Sequence, residues 1–245
     1  MRLSEKEKAA NRAAFRAMNL GQKAEYVYAY YKLPLVLALV AIVAFASVTR
    51  WLITHKEPLL YVAYVNVVPD ERLDETLTTD FVKAEGKSPR RTEVVCFREL
   101  YLSRDADQQS HQYAYASRLK IMAAIDAEQL DVVLMNKEAY DLLSGSGYLL
   151  DLKDVQASAQ ALSPAAQKLL TANTIVLSDN RLEVELNEAD EYEADTIEQV
   201  NALDVTALPL FADYPEDEFF YLGIIANTPR LDESLAYLQY VVEEN

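Results

Sequence analysis

The chain has 245 residues, five glycines, one cysteine and a formal net charge of −16. A single cysteine excludes an intramolecular disulfide and any zinc site built on several thiolates. The acidic balance argues against nucleic acid as a partner, because phosphate backbones repel a surface of the same sign.

That charge is unevenly placed. Seven basic and three acidic residues precede Leu33, whereas 14 basic and 36 acidic residues follow from Glu57 onward. Between them lies LPLVLALVAIVAFASVTRWLI, Leu33 to Ile53, with no charged residue before Arg50. As a helix it would extend about 32 Å, enough for a hydrocarbon core of about 30 Å. The sequence therefore predicts three parts: a basic cytoplasmic juxtamembrane segment (1–32), a transmembrane helix (33–53) through which the lipid bilayer is a partner, and an extracellular domain (57–245). The excess of Lys and Arg before the span places the N-terminus in the cytoplasm. A signal peptide cleaved after Ala44-Phe45-Ala46 is the rival reading. The 32-residue leading tail and the continuation of the apolar run favour an uncleaved, single-pass anchor in the cell membrane.

In chain order, Ser4 and Glu7 have capping-box spacing, and a helix is expected from Glu5 to about Asn19, stopped by Gly21. Tyr26, Tyr28, Tyr30 and Tyr31 fall where aromatic rings anchor at the inner interface, with Trp51 outside. Leu59 to Val68 reads as a strand buried on both faces. Asp70 to about Lys83 reads as a helix with Leu73, Leu77 and Phe81 on one stripe. A second strand lies in Thr92 to Leu102. His111 to Gln129 is expected as a helix whose buried face carries Tyr115, Leu119, Met122 and Ile125. Asp131 to Met135 is a short buried strand, after which Asn136 caps a helix ended by Gly145. Alternating strands and helices imply an α/β fold with a mainly parallel sheet and flanking helices.

The second half predicts helices at Asp154 to Ala161 and Pro164 to Thr171, the latter capped by Ser163. Thr174 to Leu177 and Leu182 to Leu186 read as a hairpin around Asp179-Asn180. Asn187 to Asp195 reads as an acidic loop. Val205 to Phe211 and Phe219 to Ala226 are candidate strands. A final helix begins near Pro229, with Leu231, Leu235, Leu238 and Val242 on one face.

Two passages carry a family resemblance: LKIMAAIDAEQLDVVLMNKEAYDLLSGSGYLLDL (Leu119 to Leu152) and FYLGIIANTPRLDESLAYLQYVV (Phe220 to Val242). They resemble the type II periplasmic-binding-protein fold, the extracellular solute-binding proteins of ABC importers. The resemblance implies a sheet whose late strand, Tyr221 to Ala226, returns against the others and leads into a helix packed on the first lobe. The domain is short for that family, so a reduced second lobe is expected. The juxtamembrane Tyr-Tyr-Lys is similar to one found in small membrane proteins of Gram-positive bacteria, and an extracellular domain without disulfides suits a bacterium.

The residues give no catalytic constellation, and no cofactor is implied. No GxxxxGK[ST], GxGxxG or GxSxG motif occurs. Cys96 lies in an apolar strand, which argues against a Cys96–His111 nucleophile pair. Asp105 to Asp107 and Glu188 to Asp195 lack the loop glycine and terminal Glu of an EF-hand, and solvated loops are expected there. In open α/β sheets ligands bind outside the carboxyl ends of the strands. Those ends supply Asn66, Ser103, Asn136 and Lys137, the candidate contacts for a small-molecule ligand, with the helix capped by Asn136 favouring an anion. Two functions follow as expectations. One is an extracellular solute-binding-protein-like domain acting by non-covalent ligand or partner recognition. The other is a structural or regulatory subunit of a membrane assembly, paired with a membrane protein and lacking a small-molecule site.

Overall fold

The computed structural model describes residues 18–54, 56–104, 111–156, 162–180, 191–215 and 217–243. The chain divides into two compact units, Met1–His55 and Lys56–Asn245. The expected Glu5 helix falls almost wholly outside the described residues, as do Asp105 to Asp107, Leu182 to Leu186 and the last part of the Asp154 helix.

In the first unit, helix α1 (Leu20–Thr54) runs for 35 residues. Asn19 caps it: the Gln22 amide N–H donates to Asn19 Oδ1 at 2.9 Å, and the Asn19 N–H donates to Gln22 Oε1 at 3.2 Å. This reciprocal box starts a helix where the sequence led us to expect one to stop, so Gly21 lies in a first turn, where a glycine costs little. Among the described residues no helix is long and apolar enough to cross a membrane, and the transmembrane helix expected at 33–53 is not shown.

The second unit is an α/β domain built on one six-stranded sheet of order β2-β1-β3-β6-β5-β4. Its strands are β1 (Glu57–Val65), β2 (Thr92–Leu100), β3 (Val132–Asn136), β4 (Leu170–Asp179), β5 (Ala194–Asp204) and β6 (Phe220–Ile224). β1 pairs parallel with β2 and β3, whereas the β3–β6, β6–β5 and β5–β4 pairs are antiparallel. The sheet is mixed, which corrects the expectation of a mainly parallel one. The late strand β6 does run against β3, with Leu134 opposite Leu222. Among the described residues there is no separate second lobe: the chain between β3 and β6 extends the same sheet through β4 and β5.

The three central strands are apolar on both faces because each face is covered by helices. On one face Val62, Tyr64, Leu134 and Leu222 pack with Leu73, Leu77, Phe81, Leu235 and Leu238. These come from α2, which runs Glu71–Glu75, through a π turn at Thr76–Asp80, to Phe81–Ala84, and from the last helix, α7 (Leu231–Glu243). Asp70 caps α2 by accepting from the Leu73 N–H at 2.7 Å. On the other face Ala63, Val65, Val133 and Met135 pack with Ile121, Ile125, Tyr140 and Leu143. These come from α3 (His111–Asp126) and α4 (Lys137–Gly145). Short helices α5 (Leu152–Gln156) and α6 (Pro164–Lys168) complete the chain, with Ser163 capping the latter as expected.

The buried face of α3 differs from the expected one. Ala114, Ser117, Ile121, Ala124 and Ile125 face inward, while Tyr115, Leu119 and Met122 are exposed. Small residues let α3 approach the sheet closely, and Ser117 Oγ accepts the Tyr101 N–H at 3.1 Å. The expected strand Val205 to Phe211 is also absent. Val205 makes one link to the Phe220 carbonyl at 3.0 Å, and Pro209–Phe211 then forms a 3-10 turn, because Pro209 has no N–H for a ladder.

At the amino edge a buried clasp ties the returning C-terminal segment to β3. The fully buried Asp131 accepts from the Tyr61 N–H (2.8 Å), from Thr228 Oγ1 (2.5 Å) and from Arg230 Nε (2.8 Å). The Arg230 guanidinium also lies 4.7 Å from the Tyr61 ring centroid.

Candidate functional site

The carboxyl ends of β1, β2 and β3 bring Asn66, Ser103, Asn136 and the start of α4 to one edge. Asn66 follows β1 in the left-handed region, at φ 58°. Asparagine tolerates that region better than other non-glycine residues because its short side chain can hydrogen-bond locally. Here the side chain clamps the segment leaving β2. Its Oδ1 accepts the Leu102 N–H at 2.8 Å and its Nδ2 donates to the Leu102 carbonyl at 2.6 Å. The same Nδ2 donates to Asn136 Oδ1 at 3.1 Å.

Asn136 ends β3 and caps α4, its Oδ1 also accepting the Ala139 N–H at 3.0 Å. The Asn136 amide oxygen is therefore engaged twice within the fold, once by one of the α4 backbone N–H groups expected to favour an anion. Glu138, in the first turn of α4, places its carboxylate there instead. Its Oε1 accepts from Ser103 Oγ at 2.8 Å and from the Arg104 N–H at 2.9 Å. A carboxylate in the first turn of a helix is stabilised by the helix dipole, and here it ties α4 to the segment leaving β2. Lys137 is half-exposed and pairs with Asp141, while Asn173 of β4 donates to the same Asp141 Oδ1 at 2.9 Å. The Lys137 ammonium also lies 5.5 Å and 6.0 Å from the ring centroids of Tyr140 and Tyr221.

Beside this edge a groove of about 830 Å³ runs between α3, the later part of α4 and β4. Ser103, Arg104, Tyr115, Arg118, Tyr148 and Val176 are among its lining residues. Arg104 and Arg118 have no ion-pair partner among the described residues. Of the four expected contacts Ser103 lines it, whereas Asn66, Asn136 and Lys137 do not. The same groove explains why Tyr115 and Met122 look like core residues in the sequence yet are open to solvent.

Under the groove floor a polar network crosses the core. Tyr140 Oη donates to Asn201 Oδ1 at 2.9 Å, and Asn201 Nδ2 donates to Ser144 Oγ at 2.8 Å. Asn201 and Ser144 are fully buried. Burial raises the Tyr140 phenol above its ordinary range, with the Asp141 carboxylate adding to the effect. Sequence reading missed Glu138, Arg104 and Asn201. Glu138 alone left a signal, an acidic residue in the first turn after an Asn cap.

Cys96 is partly buried, with Sγ 3.6 Å from the Tyr64 hydroxyl. Burial pushes its thiol up to about 11. That is the opposite of what a nucleophilic thiolate needs. Among the described residues no group of three His, Cys, Asp or Glu side chains is placed to hold a metal ion.

No family model, curated protein or solved structure matches the chain.

Proposed function

We propose that the chain is a single-pass membrane protein whose 57–245 domain, outside the cell, keeps a binding-protein-like lobe and serves as a structural or regulatory subunit of a membrane assembly. The observation that carries this reading is the self-filled edge. Asn66, Asn136 and Ser103 spend polar groups on the chain itself, and the Glu138 carboxylate adds a negative charge in the first turn of α4 that disfavours an anionic ligand there. The resemblance to type II periplasmic binding proteins is supported by β6 running against β3 and leading into α7, which packs on one face of the same sheet.

The anchor reading is supported by α1, which contains the whole apolar run. Leu37, Leu39, Ile42 and Phe45 in it are 62–75% exposed, an apolar surface that needs lipid or a partner protein. Seven Lys and Arg residues before it, against Arg50 and Lys56 around its end, support a cytoplasmic N-terminus.

A second reading, solute binding, is favoured by the groove with its two arginines, which suit a carboxylate-bearing small molecule. Native mass spectrometry of the full chain released from membranes separates the two. The subunit reading expects the polypeptide without a stoichiometric small molecule, and a discrete protein partner after crosslinking in intact membranes. A stoichiometric small molecule that disappears in Arg118→Ala would replace it with solute binding.

A further inference from the structure

We propose that the loop 85–91, at the amino edge of the sheet, is a contact surface for the anionic headgroups of the bilayer that holds the chain. This deepens the anchor reading and rests on it.

The first observation is connectivity. α1 ends at Thr54 and β1 starts at Glu57, and the three chain steps between these two residues reach at most about 11 Å. The second is the position of the loop. The Glu57 N–H donates to the Arg91 carbonyl at 2.7 Å, and Glu57 stands opposite Thr92 in the β1–β2 ladder. Loop 85–91 therefore lies directly beside the point where the chain joins the domain.

The third observation is charge. Lys87, Arg90 and Arg91 are exposed and have no ion-pair partner among the described residues. The acidic groups in the same stretches are Glu57, Glu85 and Glu93, and Glu93 is taken by Lys56 at 3.6 Å. In a domain with 36 acidic and 14 basic residues, Lys87, Arg90 and Arg91, with no ion-pair partner among the described residues, make the loop beside the junction a local patch that an anionic surface attracts.

The loop is also held in shape. Gly86 supplies a φ of 68°, the Lys87 N–H donates to the Val82 carbonyl at 3.0 Å, and the N–H groups of Arg91 and Thr92 donate to the Ser88 carbonyl at 2.9 and 3.0 Å. A preformed backbone presents its cations with little loss of entropy on contact.

The experiment uses the full chain in a Cys96→Ala background, reconstituted in vesicles that carry a headgroup-linked quencher. A fluorophore is placed at Ser88→Cys in one sample and at Ala212→Cys in another. With phosphatidylglycerol present, the loop label should be quenched about threefold more than in purely zwitterionic vesicles. That difference should vanish in Lys87→Gln/Arg90→Gln/Arg91→Gln and in ~0.5 M salt. The label at residue 212 should not respond to lipid charge. Equal quenching in both lipids, or persistence of the difference in the triple variant, overturns the headgroup contact. So does reproduction of the response by inorganic phosphate over zwitterionic vesicles, which marks a discrete phosphate site. Flotation in high salt separates the two readings. A chain that floats but shows no charge-dependent quenching sinks this contact alone, and a chain that does not float sinks the anchor and the contact together.

Discussion

Asn66 donates its side-chain amide to Asn136 Oδ1 at 3.1 Å, joining the carboxyl ends of the adjacent parallel strands β1 and β3. The two residues are 70 positions apart and both are polar groups at strand ends, the usual location for ligand contacts. Here they face each other, and Asn66 also clamps both backbone groups of Leu102. Replacing Asn66 with Ala removes three hydrogen bonds and leaves a Cβ residue in the left-handed region. The expected cost is about 2.5–3.5 kcal/mol, from about 0.5 kcal/mol for each of the three part-buried hydrogen bonds and about 1–2 kcal/mol for the backbone. Asn66→Gly should cost less, because glycine removes the backbone term. Urea unfolding of the full chain in detergent, followed by tyrosine fluorescence, reads the order of the two variants.

Removing Asp131 should cost more. Its carboxylate takes three donors, one of them the Arg230 guanidinium, whose side chain is 25% exposed. Asp131→Ala leaves a largely buried cation and an unpaired Tyr61 N–H, a change expected to cost about 3–5 kcal/mol. Asp131→Ala combined with Arg230→Met should recover part of that loss, because an uncompensated charge no longer stays behind. A double variant as unstable as Asp131→Ala alone, in the same unfolding assay, would show that the charge is not the dominant cost.

How much of this was legible in the sequence follows from where burial is two-sided. β1, β3 and β6 are apolar runs because helices cover both faces, and a run of that kind needs no tertiary information to be seen. β5 reads ADTIEQVNALD and is exposed along its first half, with only Asn201, Ala202 and Leu203 buried. Its pattern resembles a polar loop, so the sequence suggested that β4 would turn back at Asp179-Asn180. Instead β4 pairs with Ala194–Asp204, Ile175 opposite Ile197. The positions of Asn66, Ser103 and Asn136 at one edge followed from topology. Their mutual pairing did not, because an Asn that caps a helix and an Asn that binds a ligand look alike in sequence.

The Cys96 thiol gives a pH dependence with a definite sign. Its folded pKa is raised to about 11 by burial, above the ~8.5 of a free thiol. The unfolded state therefore loses this proton first as pH rises, and it binds fewer protons than the folded state between those values. Stability is fully present below about pH 8.5 and falls as pH climbs toward 11. Tyr64, Tyr140 and Tyr237 shift in the same direction because of burial, so the decline should steepen above about pH 10. Denaturation midpoints measured from pH 7 to 10.5 should fall, and Cys96→Ala should flatten the first part of the decline. At pH 8 iodoacetamide should modify Cys96 in denaturant and spare it in the native chain. Rapid native alkylation would contradict the buried-thiol assignment.

Glu138 provides the sharpest test of the self-filled edge. Its carboxylate sits in the first turn of α4 and accepts from Ser103 Oγ and the Arg104 N–H. If that position is an anion site occupied from within, deleting the carboxylate should leave a site that a small carboxylate can enter from solution. Glu138→Ala is expected to lose about 1.5–3 kcal/mol, the range for a hydrogen bond to a charged group. Acetate or formate should then restore part of the lost stability in a saturable way, because binding to the folded state alone stabilises it by mass action. Wild-type protein should show no such response beyond the general effect of ionic strength, which a chloride series at equal concentration measures. Glu138→Gln should behave differently: its amide oxygen keeps both acceptor contacts without the charge, so it should lose less stability and gain little from acetate. The measurement is the thermal midpoint of the three proteins across the acetate and chloride series. Equal acetate and chloride curves for Glu138→Ala would show that the carboxylate closes no anion site.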